Sequence, residues 1–244
     1  MTLEPWQWVL AVVGALAIGL AKTGISGLGM LAVVIFANLL PARQASGFVL
    51  PMLVFADVVA VASYRQHAQW SYLWKLFPWT ALGVVAGYCA LGRIDDRQAR
   101  LLIGGIVLTL LAVHVVRRTR LAAEVAEHGW WYAPVFGVLA GFTTLVANAA
   151  GPLMVIYLLS MRLPKMEYMG TGAYYFLLMN LFKVPFMMNL GLIDARSFTG
   201  NLLLLPAVLA GALAGRVILR RIDQRLFENL ALGLSAAAGL RLLF

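Results

Sequence analysis

Residues 22–29 read Lys-Thr-Gly-Ile-Ser-Gly-Leu-Gly, and they interrupt an apolar run that extends from Trp6 to Leu40. The run is too long for one membrane crossing, which needs about 20 residues, and it is marginal for two. Backbone that leaves a helix at membrane depth must be buried in protein or line a wet cavity, because lipid cannot satisfy its polar groups. The interruption therefore predicts a broken membrane segment, either a re-entrant helical hairpin or one discontinuous crossing.

The composition of the whole chain is typical of an integral membrane protein. Of 244 residues, 62% are hydrophobic and 12% are charged, whereas about 25% are charged in a typical soluble domain. The net charge of +9 comes from Lys and Arg that lie almost entirely between apolar runs, where they anchor to lipid headgroups and set topology. With no basic helix or aromatic-interleaved sheet in the sequence, we expect a lipid bilayer as partner and no nucleic acid.

The second half of the chain has the same organisation as the first. A polar connector, Arg117 to Gly129, is followed by a second interrupted apolar run, with Ala-Asn-Ala-Ala-Gly-Pro at residues 147–152. We predict two membrane repeats, residues 1–120 and 121–244. In the first half the broken segment is 6–40 and the spans are 45–63, 74–91 and 101–116. In the second half the broken segment is 130–161 and the spans are 166–189, 198–218 and 226–244.

Short matches in a common order support this duplication. At an offset of 123 residues, Leu-Pro-Ala-Arg at 40–43 matches Leu-Pro-Lys at 163–165, and Asp57 falls on Asn180. At an offset of 128, the glycine-flanked segment 83–87 matches 211–215, and Arg-Ile-Asp recurs at 93–95 and 221–223.

The orientation of the two halves depends on the type of break. A hairpin followed by three spans crosses the membrane an odd number of times, so the halves are inverted, whereas a discontinuous crossing makes them parallel. The distribution of loop Lys and Arg favours the hairpin. The predicted fold class is an all-α polytopic membrane protein with two inverted repeats of four hydrophobic segments, the first of each broken.

The two breaks also predict an anion site. Where a helix restarts, near Gly29 and near Gly151-Pro152, amide N–H groups are unpaired and carry partial positive charge. Two such ends facing each other near the midplane would form an anion cradle, although the glycines could instead permit close helix packing. The predicted substrate-binding residues lie at the breaks and in one later span: Lys22, Thr23, Gly24, Ser26, Gly27, Gly29, Thr143, Thr144, Asn148, Gly151, Asn180 and Lys183.

Three charged residues within apolar segments each allow two interpretations. An intramembrane charge costs about 2.5–3.5 kcal/mol on insertion scales, so such residues are usually functional or paired. Lys22 either binds the anion or snorkels to an interface. Lys183 either faces the ligand or forms an ion pair with Asp57. Asp57 either binds a coupling proton or cation, or neutralises one of the lysines.

The stretch Gly19–Gly29 with Pro41, and the stretch Gly141–Pro152 with Pro164, resemble the sulfite exporter TauE/SafE family over essentially the whole chain. The resemblance implies a multi-pass permease of the bacterial inner membrane for sulfite or organosulfonates, without a prosthetic group. The second break is poorer in glycine than is usual in that family, and the first contains Lys22 and Ser26.

The resulting functional prediction is a secondary transporter of small sulfur-containing oxyanions that is not an enzyme and uses no cofactor or metal. Coupling to protons through Asp57 is part of it. The alternatives are an anion-selective channel or a permease for a carboxylate or another small anion, and a membrane enzyme or assembly partner without transport activity. A homodimer is compatible with so small a helical bundle.

Overall fold

The computed structural model describes residues 4–26, 28–40, 42–90, 96–120, 129–193 and 195–243. Within those ranges the chain forms α-helices, one short 3₁₀ turn and no strand. The helices are α1 Pro5–Thr23, α2 Gly29–Leu39, α3 Ala42–Tyr64, α4 Trp70–Ala90, α5 Asp96–Arg120, α6 Tyr132–Ala147, α7 Ala150–Ser160, α8 Lys165–Asn189, α9 Ala195–Arg221 and α10 Gln224–Leu243, with the 3₁₀ turn at Arg65–His67.

The lengths of the helices suit a lipid bilayer. Pro5–Thr23, Gln44–His67 and Phe198–Arg221 are each long and apolar enough to cross one, while α6 and α7 are apolar but shorter. Helices α4, α5, α8 and α10 contain 20 to 25 residues, or ~30–38 Å at 1.5 Å per residue, against about 30 Å of hydrocarbon. These described helices confirm the predicted all-α, multi-pass membrane protein.

Helices α1 and α2 run antiparallel. A Cβ atom placed on Gly14, in the middle of α1, would lie 2.8 Å from the ring of Phe36 near the end of α2. At the other end of the pair, a Cβ atom on Gly29 would lie 3.7 Å from Ala21. The chain therefore enters α1 and leaves α2 at the same end of a helical hairpin.

Helices α6 and α7 form a second antiparallel pair. The Tyr132 hydroxyl, at the start of α6, donates a hydrogen bond of 2.8 Å to the Ser160 hydroxyl at the end of α7. The rings of Tyr132 and Tyr157 stack with their centroids 5.7 Å apart. Both interrupted segments of the sequence thus fold back on themselves.

Helices α3 and α8 cross the centre of the molecule in antiparallel directions. Gly170, near the start of α8, lies against Tyr64 at the end of α3, and Gly47, near the start of α3, lies against Leu192 just after α8. The two hairpins flank this pair, with α1 packed on α9 and α6 packed on α4.

Glycines allow the hairpins to pack closely on these neighbours. Cβ atoms on Gly19 and Gly211 would lie 1.9 Å and 2.1 Å from backbone carbonyl oxygens of α9 and α1, respectively. At the α4–α6 contact, Cβ atoms on Gly83 and Gly141 would lie 2.2 Å and 2.1 Å from carbonyl oxygens of the facing helix. Because membrane helices associate through van der Waals packing, side chains this small let the backbones touch.

Gly211→Ala should therefore destabilise the protein. The new methyl group would meet the carbonyl oxygen of Leu16, which is backbone and cannot move aside without separating α1 from α9. Overpacking of this kind costs about 1–3 kcal/mol, which a lowered melting temperature in detergent would report. Gly233→Ala in α10 is the matched control, because nothing lies within 4 Å of its added Cβ. Equal melting temperatures for the two variants would contradict the packing role of Gly211.

Candidate functional site

A cavity lies between the tips of the two hairpins and the α3–α8 pair. Its volume is about 90 Å³, which suits a solute of a few non-hydrogen atoms, since an apolar cavity of about 150 Å³ accepts benzene. The described residues that line it are Ile18, Ala21, Lys22, Ser26, Gly29, Val33, Val49, Leu53, Thr144, Asn148, Gly151, Pro152, Leu158, Tyr168, Met169, Gly172, Ala173, Phe176 and Asn180. The wall is mostly apolar, with polar groups contributed mainly by the two hairpin tips.

The starts of α2 and α7 both border this cavity. Gly29 is the first residue of α2 and Gly151 the second of α7, and both line the cavity. A Cβ atom on Gly151 would have no neighbour within 4 Å, so the backbone there is open to a small molecule. Amide groups in the first turn of a helix lack intrahelical acceptors and carry partial positive charge.

The local sequence explains why the second hairpin breaks where it does. Asn148 adopts the left-handed conformation, with φ 52° and ψ 30°, which asparagine tolerates better than most residues. Its N–H donates to the Thr144 carbonyl, and the N–H of Ala149 donates to the Thr143 carbonyl, so the end of α6 is satisfied. Pro152 follows in the first turn of α7, where a proline costs no hydrogen bond.

Lys22 lines the cavity and also forms an ion pair with a buried carboxylate. Its Nζ atom lies 2.8 Å from Oδ1 of Asp57 and 3.9 Å from the centre of the Phe176 ring. A cation over an aromatic face is attracted to the ring quadrupole. The Lys22 side chain is 13% exposed and that of Asp57 is fully buried. Of the described residues that line the cavity, only Lys22 is a lysine, arginine or acidic residue.

Asn180 connects Asp57 to a second lysine through hydrogen bonds. The Asn180 amide donates to Oδ2 of Asp57 at 2.6 Å, and its carbonyl oxygen lies 3.5 Å from Nζ of Lys183. Lys183 is fully buried. Its ammonium donates to the Thr144 carbonyl at 3.0 Å, to the Thr144 hydroxyl at 3.2 Å and to Asn148 Oδ1 at 2.5 Å.

The contacts of Lys183 tie it to the end of α6. Three close acceptors match the three N–H donors of an ammonium group, whereas a neutral amine has two. A cation at a helix C-terminus is also favoured by the helix dipole. Lys183 is absent from the cavity wall, where Thr144 and Asn148 stand between it and the space. The Lys183 ammonium is therefore separated from the cavity by those two side chains.

The network contains two lysines and one aspartate, and with all three side chains ionised it carries an excess of one positive charge. Lys22 and Lys183 approach Asp57 from α1 and α8, and Asn180 lies between the carboxylate and Lys183. Coulomb interactions are much stronger away from bulk water. With these three groups ionised, the sign of the net charge would favour an anion over a cation in the cavity.

The residues predicted to bind substrate, together with Asp57, which was predicted to bind the coupling ion, fall into three groups. Those on the cavity wall are Lys22, Ser26, Gly29, Thr144, Asn148, Gly151 and Asn180. Asp57 and Lys183 lie behind the wall and hydrogen-bond to its members or form an ion pair with them. Thr23, Gly24 and Thr143 do not line the cavity and lie in helix packing, and the prediction for Gly27 falls outside the described residues.

The packing residues have defined partners elsewhere. The Thr23 hydroxyl donates to the Ala212 carbonyl at 2.6 Å, and a Cβ atom on Gly24 would lie 2.6 Å from Cα of Gly215. The Thr143 hydroxyl donates to the carbonyl of Ala140 in its own helix at 3.3 Å. Close helix packing therefore accounts for these positions.

Several wall residues were missed by the sequence reasoning. Phe176 lies four residues before Asn180 and Gly172 four before Phe176, so a single face of α8 carries all three. That spacing could have identified them once Asn180 was selected. Ser46, whose carbonyl accepts from Asn148 Nδ2 at 3.0 Å, gives no comparable signal in the sequence.

Comparison with known proteins identifies the family. The family model described as Sulfite exporter TauE/SafE matches residues 10–242. Neither the curated proteins nor the solved structures contain a match to the chain. Since the family match covers nearly the whole sequence, this chain is a membrane transport protein that belongs to the sulfite exporter TauE/SafE family.

Proposed function

We propose that this protein is a secondary transporter of small sulfur-containing oxyanions, such as sulfite or a short organosulfonate, in the cell inner membrane. The observation that carries the proposal is the position of Lys22, which lines a cavity that the starts of α2 and α7 also line. Charge-assisted hydrogen bonds and helix N-termini both favour oxyanions. Membership in a sulfite exporter family supports the choice of a sulfur oxyanion.

The size and lining of the cavity support a small anion. Sulfite has four non-hydrogen atoms, a size that suits a cavity of about 90 Å³. Wall residues such as Val49, Leu53 and Phe176 offer apolar contact to a short carbon chain. Small-molecule sites commonly combine an apolar wall with a few convergent polar groups of this kind.

The proposed architecture is a pair of inverted repeats around this cavity. Asp57 and Asn180 are equivalent positions at the offset of 123 residues, and they are hydrogen-bonded to each other at 2.6 Å. Residues at equivalent positions of two repeats can contact each other only if they lie next to the symmetry axis that relates the repeats. Because α3 and α8 are antiparallel, that axis is perpendicular to them and so lies in the plane of the membrane. In the proposed repeats α6 corresponds to α1 and α9 corresponds to α4. The packing of α1 on α9 is therefore equivalent to the packing of α6 on α4, which supports the same axis.

Contacts at the helix ends support the inverted arrangement independently. Thr171, near the start of α8, accepts from the N–H of Gln69 before α4 at 3.0 Å. The ammonium of Lys165 donates to the carbonyls of Leu219 and Ile222 at the end of α9. The links α3–α4, α7–α8 and α9–α10 therefore lie at one end of the bundle. In transporters built from inverted repeats, rocking of one repeat against the other exposes a central site to either side in turn.

Lys22→Gln should weaken the binding of 2-hydroxyethanesulfonate to the purified protein. A hydrogen bond to a charged group is worth about 1.5–3 kcal/mol, which corresponds to a dissociation constant raised about 10- to 150-fold. The measurement is isothermal titration calorimetry in detergent. The matched control is Lys75→Gln, which removes an exposed ammonium from α4. Equal affinities for the two variants would remove Lys22 from the site.

The substrate class is tested by flux into proteoliposomes. We expect saturable uptake of sulfite and 2-hydroxyethanesulfonate, and weaker uptake of acetate and phosphate. Accumulation against a gradient distinguishes a coupled transporter from an anion-selective channel, which only equilibrates. A preference for acetate would change the assigned substrate class from sulfur oxyanions to carboxylates. If the folded protein shows no saturable flux of any of the four anions, the proposal is refuted.

The inverted topology predicts that Gln66 and Arg162 lie on the same side of the membrane. Gln66 is exposed in the 3₁₀ turn after α3 and Arg162 is exposed between α7 and α8. In a Cys89→Ser background, Gln66→Cys and Arg162→Cys should both be labelled by an impermeant maleimide from the cytoplasmic face in inverted vesicles. Cys89 of the unaltered protein, near the end of α4, should be labelled from the opposite face. Parallel repeats would place Gln66 and Arg162 on opposite faces.

A further inference from the structure

The Lys22 side chain lies beside two places where a negative charge could be, the Asp57 carboxylate and the cavity. Its direct anionic partner is Asp57, at 2.8 Å, and it also borders the cavity in which the proposed function places the substrate. The centre of the Phe176 ring, which also lines the cavity, lies 3.9 Å from the ammonium. An anion in the cavity would draw Lys22 away from the carboxylate.

Asp57 has little else to neutralise it. Its side chain is fully buried and does not line the cavity, so the carboxylate is shielded from bulk water. Its other oxygen accepts from Asn180, a neutral amide. A buried carboxylate that loses its cationic partner is strongly destabilised unless it takes up a proton.

The helices packed around Asp57 offer few other charges. Lys22 faces it from α1 and Lys183 lies beyond Asn180 on α8, with its three N–H groups directed at α6. The described residues of α2 and α6 include no Asp, Glu, Lys, Arg or His. On α9, the charges of Arg216 and Arg220 interact with Tyr64, which lies two turns further along α3 than Asp57. In the 3₁₀ turn, Arg65 is exposed and His67 lies beyond Tyr64.

We infer that the substrate anion and the Asp57 carboxylate compete for the Lys22 ammonium, so that each anion bound brings one proton onto Asp57. This inference rests on the proposed function and specifies its coupling. The proton comes from the aqueous phase and forms an O–H bond on the carboxylate, while Lys22 and Lys183 keep their charges. One negative charge is bound and one is neutralised, so the empty and loaded sites carry the same total charge.

Proton and anion therefore move in the same direction. An inward proton gradient drives the anion inward, and an outward anion gradient carries protons out with it. The same competition makes Asp57 an inhibitor of anion binding, because its negative charge holds the cation that the substrate needs. Removing the charge of Asp57 should strengthen binding and abolish its dependence on protons.

The test is calorimetric titration of the purified protein with 2-hydroxyethanesulfonate, in two buffers of equal pH and different ionisation enthalpy. The sulfonate stays ionised throughout, so any proton taken up belongs to the protein. We expect proton uptake approaching one per anion, with a dissociation constant that rises about tenfold per pH unit where Asp57 is ionised in the empty protein. Asp57→Asn should bind more tightly, without proton uptake or pH dependence. Asp57→Glu is the matched control and should retain both.

Each outcome decides between the claims. Sulfonate binding by the unaltered protein without proton uptake would overturn the linkage and leave the proposed function standing. Equal proton uptake in Asp57→Asn would assign the proton to another group and also overturn it. No saturable binding of the sulfonate, sulfite or acetate would refute the proposed function, and the inference with it.

Discussion

The ion pair between Lys22 and Asp57 is the constraint around which the centre of this protein is arranged. A carboxylate buried between helices is costly unless it is paired and hydrogen-bonded. One oxygen of Asp57 forms an ion pair with Lys22 at 2.8 Å, and the other accepts a hydrogen bond from Asn180 at 2.6 Å. Lys183 adds a second positive charge that no second carboxylate cancels among the contacts of the network. The excess charge beside a small cavity is the reason for proposing an anion as the ligand.

The surrounding helices bring these charges to the cavity. Interlocking glycines let α1 pack on α9 and α6 on α4 with backbone in contact, so each hairpin is held firmly beside the α3–α8 pair. The left-handed Asn148 ends α6 and lets α7 restart beside the cavity. Lys183 binds the end of α6 and thereby fixes the position of that break. The glycine packing and the charge network therefore support the same arrangement.

The sequence predicted the helices well because hydrophobic length and charge report directly on membrane crossings. It also selected Lys22, Asp57, Asn180 and Lys183, since charged and amide groups stand out within apolar spans. It could not separate the glycines by role: Gly24 packs against Gly215, whereas Gly151 faces open space. Nor could it assign Lys183 to the end of α6, because that contact depends on how distant helices pack. Pairings such as Asn148 with Ser46 leave no periodic signal in one chain.

The location of the anion is the central claim, and anomalous scattering from a bromine-bearing sulfonate tests it most directly. Crystals grown with saturating 2-bromoethanesulfonate should show a bromine peak inside the cavity lined by Phe176 and Gly151, with the sulfonate within hydrogen-bonding distance of Lys22 Nζ. Such a peak would place the substrate between the two hairpin tips. A bromine peak at another site, with the cavity containing only water, would contradict the account.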